Sequence, residues 1–289
     1  MYSILKKYLK QILSPKARNY LKKSKRYLLS IIRPFSKSSI QELEYILKNE
    51  LKIEKGDFVF VTSGFGYLNA TYSPEDLICL LQSIVTNDGL IMMPFYPRLN
   101  SDECASSNHV FDMKSTVSGM GILTNVFSKM PDVYKSCHPT KAVCVWGNCA
   151  EDYIKGHEYS ETPYYIDSPY GKLLKNKSKS IGLAVNNMPM IHAVEDAILG
   201  PGHSLYYKEK VNMKVVRLDS KVIEVPTYIH NPVAVSHCVS AYKYIERLGV
   251  PIKKVRVGLT SAFSVDNSDV YVAVQSDYLQ GNTTLRAKK

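Results

Sequence analysis

Between Phe58 and Pro94 the order of apolar and turn residues admits very few folds. Phe58-Val59-Phe60-Val61-Thr62 is an almost unbroken apolar run, the pattern of a buried strand, and it opens onto the loop Ser63-Gly64-Phe65-Gly66. Ser73-Pro74-Glu75 then starts a helix, with proline at a first helical position where its missing N–H costs nothing. The helix runs to about Val85, and Asn87-Asp88-Gly89 turns the chain into a second apolar run, Leu90-Ile91-Met92-Met93-Pro94. Strand, loop, helix, strand is a βαβ crossover, which requires a sheet with helices on its faces.

The remainder extends the same alternation. Ser39 with Glu42 reads as a helix start. Residues 97–112 form a polar stretch long enough for a functional loop. Residues 119–130 read as a helix, 137–140 as a turn, 142–146 as a strand and 150–154 as a helix. A loop rich in Tyr, Pro and acid covers 157–171, a strand 178–185 and a helix 190–199. Residues 214–218 and 222–225 flank Asp219-Ser220-Lys221 as a hairpin. A helix over 236–248 and strands over 255–258 and 270–274 complete the body, which has no internal repeat.

Charge divides the chain in two. Residues 1–37 carry eleven Lys/Arg and no Asp or Glu, which equals the whole net charge of +11. The body, residues 38–289, is therefore balanced, and its charge gives no argument for nucleic-acid binding. In the arm, Ile4, Leu5, Tyr8, Leu9, Ile12 and Leu13 fall on one helical stripe opposite Lys6, Lys7 and Lys10, and Ser14-Pro15 ends that segment. Such a helix is expected to lie on an anionic membrane surface through residues 1–36. The plainer reading packs it on the body or on a second copy in a homodimer.

Compartment follows from cysteine usage and hydropathy. Six cysteines, Cys79, Cys104, Cys137, Cys144, Cys149 and Cys238, form no C-x-x-C pair and no zinc pattern, so no metal is expected. Several lie in apolar runs as small hydrophobes. No run approaches the roughly 18 apolar residues of a spanning helix, and no signal-peptide pattern follows the basic region. A cytoplasmic protein, peripheral on the inner membrane face through its arm, is the expectation.

Two segments are suited to proton transfer. In Ser136-Cys137-His138-Pro139-Thr140 the proline restricts His138 to extended backbone and fixes where its ring leaves the chain. An imidazole titrating near neutrality is a natural general base, although a lone loop histidine is more often structural. His192, Glu195 and Asp196 share one face of the 190–199 helix, so an imidazole and two carboxylates converge there. Dinucleotide and P-loop fingerprints are absent, and Gly64-Phe65-Gly66 is too loose to hold phosphate by itself.

In order, these segments resemble the aminoglycoside 3-N-acetyltransferase family. The blocks are residues 56–63, Gly89 to Pro94, Asp112 with Thr116, Ser118 and Met120-Gly121, Pro131-Asp132-Val133 leading to His138-Pro139, Trp146-Gly147, His157, residues 168–173, and Gly182 through Asn186 to His192 and Glu195. The resemblance covers about residues 38–275. It implies a three-layer α/β/α fold with a central mixed sheet, acetyl-CoA or another acyl-CoA as co-substrate, and direct acyl transfer without a covalent enzyme intermediate. His138 is then the expected base with Glu195 as its acid, His192 and Thr140 complete the catalytic set, and Cys137 is not a nucleophile. Ser63, Thr116, Ser118, Met120 and Gly121 are the expected coenzyme A contacts, the last two through backbone N–H groups. The chain has Thr62-Ser63-Gly64 where the family usually reads His-Ser-Ser, and it matches poorly after Asp266.

The expected activity is N-acylation, most simply acetylation, of the amine of an amino sugar in surface-glycan or nucleotide-sugar metabolism. A body without surplus negative charge suits a nucleotide- or lipid-linked sugar better than a polycationic drug. An aminoglycoside-modifying resistance enzyme is the alternative, and a degenerate membrane-associated scaffold is a third reading.

Overall fold

The computed structural model describes residues 36–283 and 285–287, together with Ser14 and Ala17. The expected amphipathic segments of the arm, and their membrane surface, lie outside the described residues. The strands are β1 (Phe58–Ser63), β2 (Leu90–Pro94), β3 (Phe111–Asp112), β4 (Tyr134–Lys135), β5 (Val143–Trp146), β6 (Ser178–Leu183), β7 (Val211–Val216), β8 (Val222–Thr227), β9 (Lys253–Val257) and β10 (Thr260–Asp266). The α-helices are α1 (Ile40–Tyr45), α2 (Pro74–Val85), α3 (Ser101–Ser106), α4 (Ile122–Phe127), α5 (Ala150–Ile154), α6 (Pro169–Lys175), α7 (Met190–Leu199), α8 (Pro232–Ser236), α9 (Ala241–Arg247) and α10 (Asn267–Leu279).

Seven strands form one mixed sheet in the order β4-β5-β2-β1-β6-β10-β9. β1 pairs parallel with β2 and with β6, whereas β5, β4, β10 and β9 enter antiparallel. The parallel centre is covered on both faces, so successive residues feed different cores. Val59 and Val61 of β1 pack with α1 and α2, while Phe60 packs with Tyr164, Tyr170 and Met190 on the opposite face. Ile91 and Met93 against Leu90 and Met92 repeat this division on β2. Helices therefore sit on both sides of the sheet, as expected of an α/β/α architecture. A small second sheet, β3-β7-β8, carries the hairpin read from Asp219-Ser220-Lys221.

Helix starts follow their local chemistry. Ser73 accepts from the Asp76 N–H at 3.0 Å while Asp76 accepts from the Ser73 N–H at 2.9 Å, a reciprocal cap on α2. Ser73→Ala is expected to cost about 1 kcal/mol, read as a lower urea midpoint with unchanged slope.

Four expected elements differ. The 236–248 helix is broken: Ser236 closes α8, Cys238 bridges to Ala287, and only Ala241–Arg247 forms α9. Residues 270–274, Val-Tyr-Val-Ala-Val, lie within α10 and are not a strand; the last strand of the sheet is β10. β-branched residues favour strands locally, but Val270 and Val274, four apart, are both buried on one helix face against the core of α7 and α9. The 119–130 helix shrinks to α4 because Gly121 stands at φ +97°, outside helical space. The 97–112 loop contains α3, capped by Asn100 and Glu103 in the same reciprocal manner as α2.

Candidate active site

The C-terminal ends of β1, β2 and β6 meet at one edge of the sheet, the edge where open α/β sheets bind ligands. Ser63, the last residue of β1, lies opposite Leu183, the last of β6. From there residues 184–189 cross over the end of β1, tied down by Thr62 Oγ1 donating to the Asn187 carbonyl at 3.0 Å, and α7 begins. That crossing delivers His192 to the edge in the first turn of α7.

His192 and Glu195 form the expected i, i+3 pair, with Nδ1 of His192 3.0 Å from Glu195 Oε2. Nδ1–H donates to the carboxylate, so the lone pair sits on Nε2. The His192 side chain is 19% exposed, whereas Glu195 is fully buried. Nε2 has no partner among the described residues and is the basic atom the pair presents outward. Burial pulls the imidazolium below its ordinary range, opposed by Glu195 and reinforced by Arg286 and Lys141.

Arg286 completes the arrangement from the far end of the chain. Its guanidinium grips Glu195 with a fork, Nε to Oε1 and Nη2 to Oε2 at 3.0 Å. Its backbone accepts from the Val239 N–H at 2.7 Å. Burial alone would raise the Glu195 carboxyl, but Arg286 and His192 prevail and bring it down to about 2. The carboxylate is thus ionised at neutral pH and fixes the tautomer and direction of His192.

Asp196 shares the helix face but not the chemistry. Its two oxygens accept from Thr162 Oγ1, from His203 Nε2 at 2.8 Å and from Tyr206 Oη at 3.0 Å. This saturated acceptor braces the loops that carry a ring stack on His192. The His230 ring lies 4.5 Å from His192 and 4.3 Å from Tyr206, at 11° to the latter, and Tyr164 flanks His192 at 5.0 Å.

His138 is placed differently from expectation. Its Nδ1 accepts the backbone N–H groups of Thr140 and Lys141 at 3.2 and 3.0 Å, leaving Nε2–H to donate to Thr227 Oγ1 at 3.2 Å. The ring is buried and lies against that of His157, with centroids 4.6 Å apart and planes tilted by 32°. Burial, then His157 and Lys141, hold it neutral. Both nitrogens are committed, so His138 pins the His-Pro turn to β8, and Glu195 is the partner of His192 instead. Thr140 stays beside it with a buried hydroxyl that has no partner among the described residues. Burial pushes the Cys137 thiol up to about 12, where it is no nucleophile at neutral pH.

The expected coenzyme A contacts separate into two groups. Ser118 Oγ donates to the Tyr96 carbonyl at 3.1 Å and accepts the Met120 N–H at 3.0 Å, and Thr116 Oγ1 accepts the Asp112 N–H at 3.0 Å. Both hydroxyls hold the loop in shape, although Thr116 also lines a recess of about 320 Å³ with Pro97, Arg98 and His109. Ser63 Oγ, by contrast, is buried with no partner among the described residues. A Cβ on Gly121 would stand 3.8 Å from the Ser63 carbonyl, so Ser63 and Gly121 share the end of β1. Tyr96 joins the two halves: its carbonyl takes Ser118 and Gly119, and its hydroxyl meets Tyr170 at 2.9 Å and Tyr164 at 3.4 Å.

Arg286, Thr227, Tyr164 and His230 were not legible as site residues, since no motif or spacing links them to His192. Among the described residues no group of His, Cys, Asp or Glu is arranged to hold a metal ion. No helix among them is long and apolar enough to cross a membrane.

Solved structures of similar fold include the aminoglycoside acetyltransferase AAC(3)-Xa, with a TM-score of 0.70 and 15% identity over 88% of this chain and 98% of that one. AAC-VIa with bound sisomicin, a room-temperature neutron/X-ray structure, has a TM-score of 0.68 and 18% identity, covering 84% and 98%. AAC-IIIb in a binary complex with CoASH has a TM-score of 0.67 and 14% identity, covering 85% and 98%. At such identities the likeness is one of fold. No curated protein matches the sequence. The sequence model of the antibiotic N-acetyltransferases, described as aminoglycoside 3-N-acetyltransferase, matches residues 60–279, from within β1 to the end of α10. With that span of sequence and this fold, the chain belongs to the aminoglycoside 3-N-acetyltransferase family and is an N-acetyltransferase.

Proposed function

We propose that the chain transfers acetyl from acetyl-CoA to the amine of an amino sugar, with His192 as general base and Glu195, gripped by Arg286, as its positioning acid. The observation that carries this reading is the outward, unpartnered Nε2 of His192 above a buried carboxylate. His192 takes a proton from the acceptor nitrogen as that nitrogen bonds to the acetyl carbonyl carbon. The carbon–sulfur bond breaks, and the proton held on His192 passes to the departing sulfur, leaving an amide and a thiol. Ser63 and the Gly121 backbone are the groups assigned to acetyl-CoA, which supplies the activated thioester; the orphaned Ser63 hydroxyl fits a ligand with polar atoms. His138 and Thr140 shape the turn beside the dyad.

The neutral body favours an amino sugar of glycan or nucleotide-sugar metabolism over a polycation. The second reading, an aminoglycoside acceptor, is favoured by the sisomicin-bound AAC-VIa neighbour. The arm is assigned to an anionic membrane surface on the cytoplasmic side, tested by vesicle co-sedimentation with and without residues 1–36.

Thiol release from acetyl-CoA, measured with amino sugars and with sisomicin and gentamicin, tests both acceptors. No release with any amine, and no rise in melting temperature at saturating acetyl-CoA, would return the chain to a scaffold. His138→Gln separates the two histidines: it is expected to lower Tm while the acid limb of the pH–rate profile keeps its midpoint. A displaced limb in that variant would restore His138 as the base.

A further inference from the structure

The same edge holds a cation and two polar atoms that nothing among the described residues answers. Lys141, which closes the His-Pro turn, is partly buried with its ammonium 4.5 Å from the centroid of the Tyr96 ring. It has no carboxylate or side-chain hydrogen-bond partner among the described residues. Other partly buried lysines are matched: Lys179 meets Asp57 at 2.6 Å, and Lys135 donates to the Met113 carbonyl at 2.7 Å. The Tyr96 ring beneath Lys141 connects it to the dyad: the Tyr96 hydroxyl meets that of Tyr164 at 3.4 Å, and the Tyr164 ring lies 5.0 Å from His192 and 5.8 Å from His230. His230 Nε2 is buried without a partner although its ring is clamped between His192 and Tyr206. Thr140 Oγ1, one residue before Lys141, is buried and unpartnered as well.

Unanswered buried donors and cations are costly, and proteins keep few of them without a ligand or function to account for them. The acids within reach of the cluster are already committed, Glu195 to Arg286 and His192, and Asp196 to Thr162, His203 and Tyr206. The missing partner is therefore an anion from outside the protein. Burial lowers the Lys141 ammonium to about 8, which still leaves it mostly charged at neutral pH.

We infer that Lys141, with His230 and Thr140 beside it, forms an oxyanion subsite next to the His192–Glu195 dyad, which takes a phosphate or carboxylate carried by the acceptor sugar. The inference rests on the proposed amino-sugar acetyltransferase activity and narrows its substrate class. A cationic acceptor would set like charge against Lys141, whereas an anionic amino sugar supplies the missing partner and positions its amine beside His192. Lys141 is in this role a specificity-determining residue.

The test compares glucosamine, glucosamine 1-phosphate, UDP-glucosamine and 2-amino-2-deoxyglucuronic acid as acceptors for the full chain and for Lys141→Gln and Lys141→Arg. At least one anionic acceptor is expected to exceed glucosamine in kcat/KM by about tenfold or more, the worth of a charge-assisted hydrogen bond. Which one does so separates phosphate, pyrophosphate and carboxylate. Lys141→Gln should raise the KM of that acceptor by about tenfold to a hundredfold, with the KM of acetyl-CoA unmoved and Lys141→Arg retaining most of the preference. A loss equal for charged and neutral acceptors, or a shift in the KM of acetyl-CoA instead, overturns the subsite. Binding gives a readout without turnover: inorganic phosphate or pyrophosphate should raise the Tm of the parent and of Lys141→Arg, and not of Lys141→Gln. Equal stabilisation of all three, or none in the parent, also overturns it. Anion-dependent stabilisation with acetyl transfer to no amine would instead remove the activity and leave the subsite standing.

Discussion

His192→Gln is expected to lower kcat for acetyl transfer by about 10²–10⁴, the usual contribution of a positioned general base. Glutamine keeps a donor toward Glu195 and most of the side-chain volume, so folding and acetyl-CoA binding should survive. The pH dependence carries the sharper test. Burial holds His192 below the ordinary imidazole value of 6.5, and only the neutral ring accepts a proton. Activity of the parent should therefore fall on acidification, with a midpoint below 6.5, and stay level through neutrality as far as this group is concerned. The residual activity of His192→Gln should lack that limb. A limb that persists with full amplitude in the variant would assign the base to another residue.

Glu195→Gln should affect stability and rate together. It leaves the Arg286 guanidinium buried without its counter-charge, which costs about 3–5 kcal/mol when one member of a buried pair is removed. It also releases the tautomer and direction of His192, so kcat falls although the base is still present. The carboxyl lies at about 2 in the folded protein against an ordinary 4.5. The folded state thus gains stability from the ionised carboxylate above pH 4.5, and that contribution disappears as pH falls toward 2. The stability gap between parent and variant should be widest near neutrality and narrow below pH 4.5. The double change Glu195→Gln with Arg286→Met removes both charges and should recover much of the stability without recovering kcat. Recovery of both would reduce the pair to a structural clamp.

The contrast between His138 and His192 marks the limit of sequence reading at this site. Each stands in a recognisable block, and the family resemblance, with Pro139 fixing the exit direction of the ring, gave His138 the stronger claim. What distinguishes them is the surroundings of two ring nitrogens. Thr227, which engages His138, arrives on β8 eighty-nine residues later, and Arg286, which fixes Glu195, lies ninety-one residues from it. No local pattern announces either contact. The Val270–Val274 run fails for a related reason: its β-branched composition is local, but the burial of both valines on one face is decided by α7 and α9.

The sequence by itself determined the βαβ centre, the capped start of α2, the hairpin of β7 and β8, the His192/Glu195 spacing on α7 and the separation of a basic arm from a balanced body. These depend on period, turn chemistry and charge, which neighbouring residues carry among themselves. Only the tertiary structure decided which of His138 and His192 keeps a free nitrogen, which arginine holds the acid, and that Lys141 has no counter-charge among the described residues. Hydrogen bonding and desolvation depend on what the fold brings from distant parts of the chain, and that information exists only once the sheet edge is assembled.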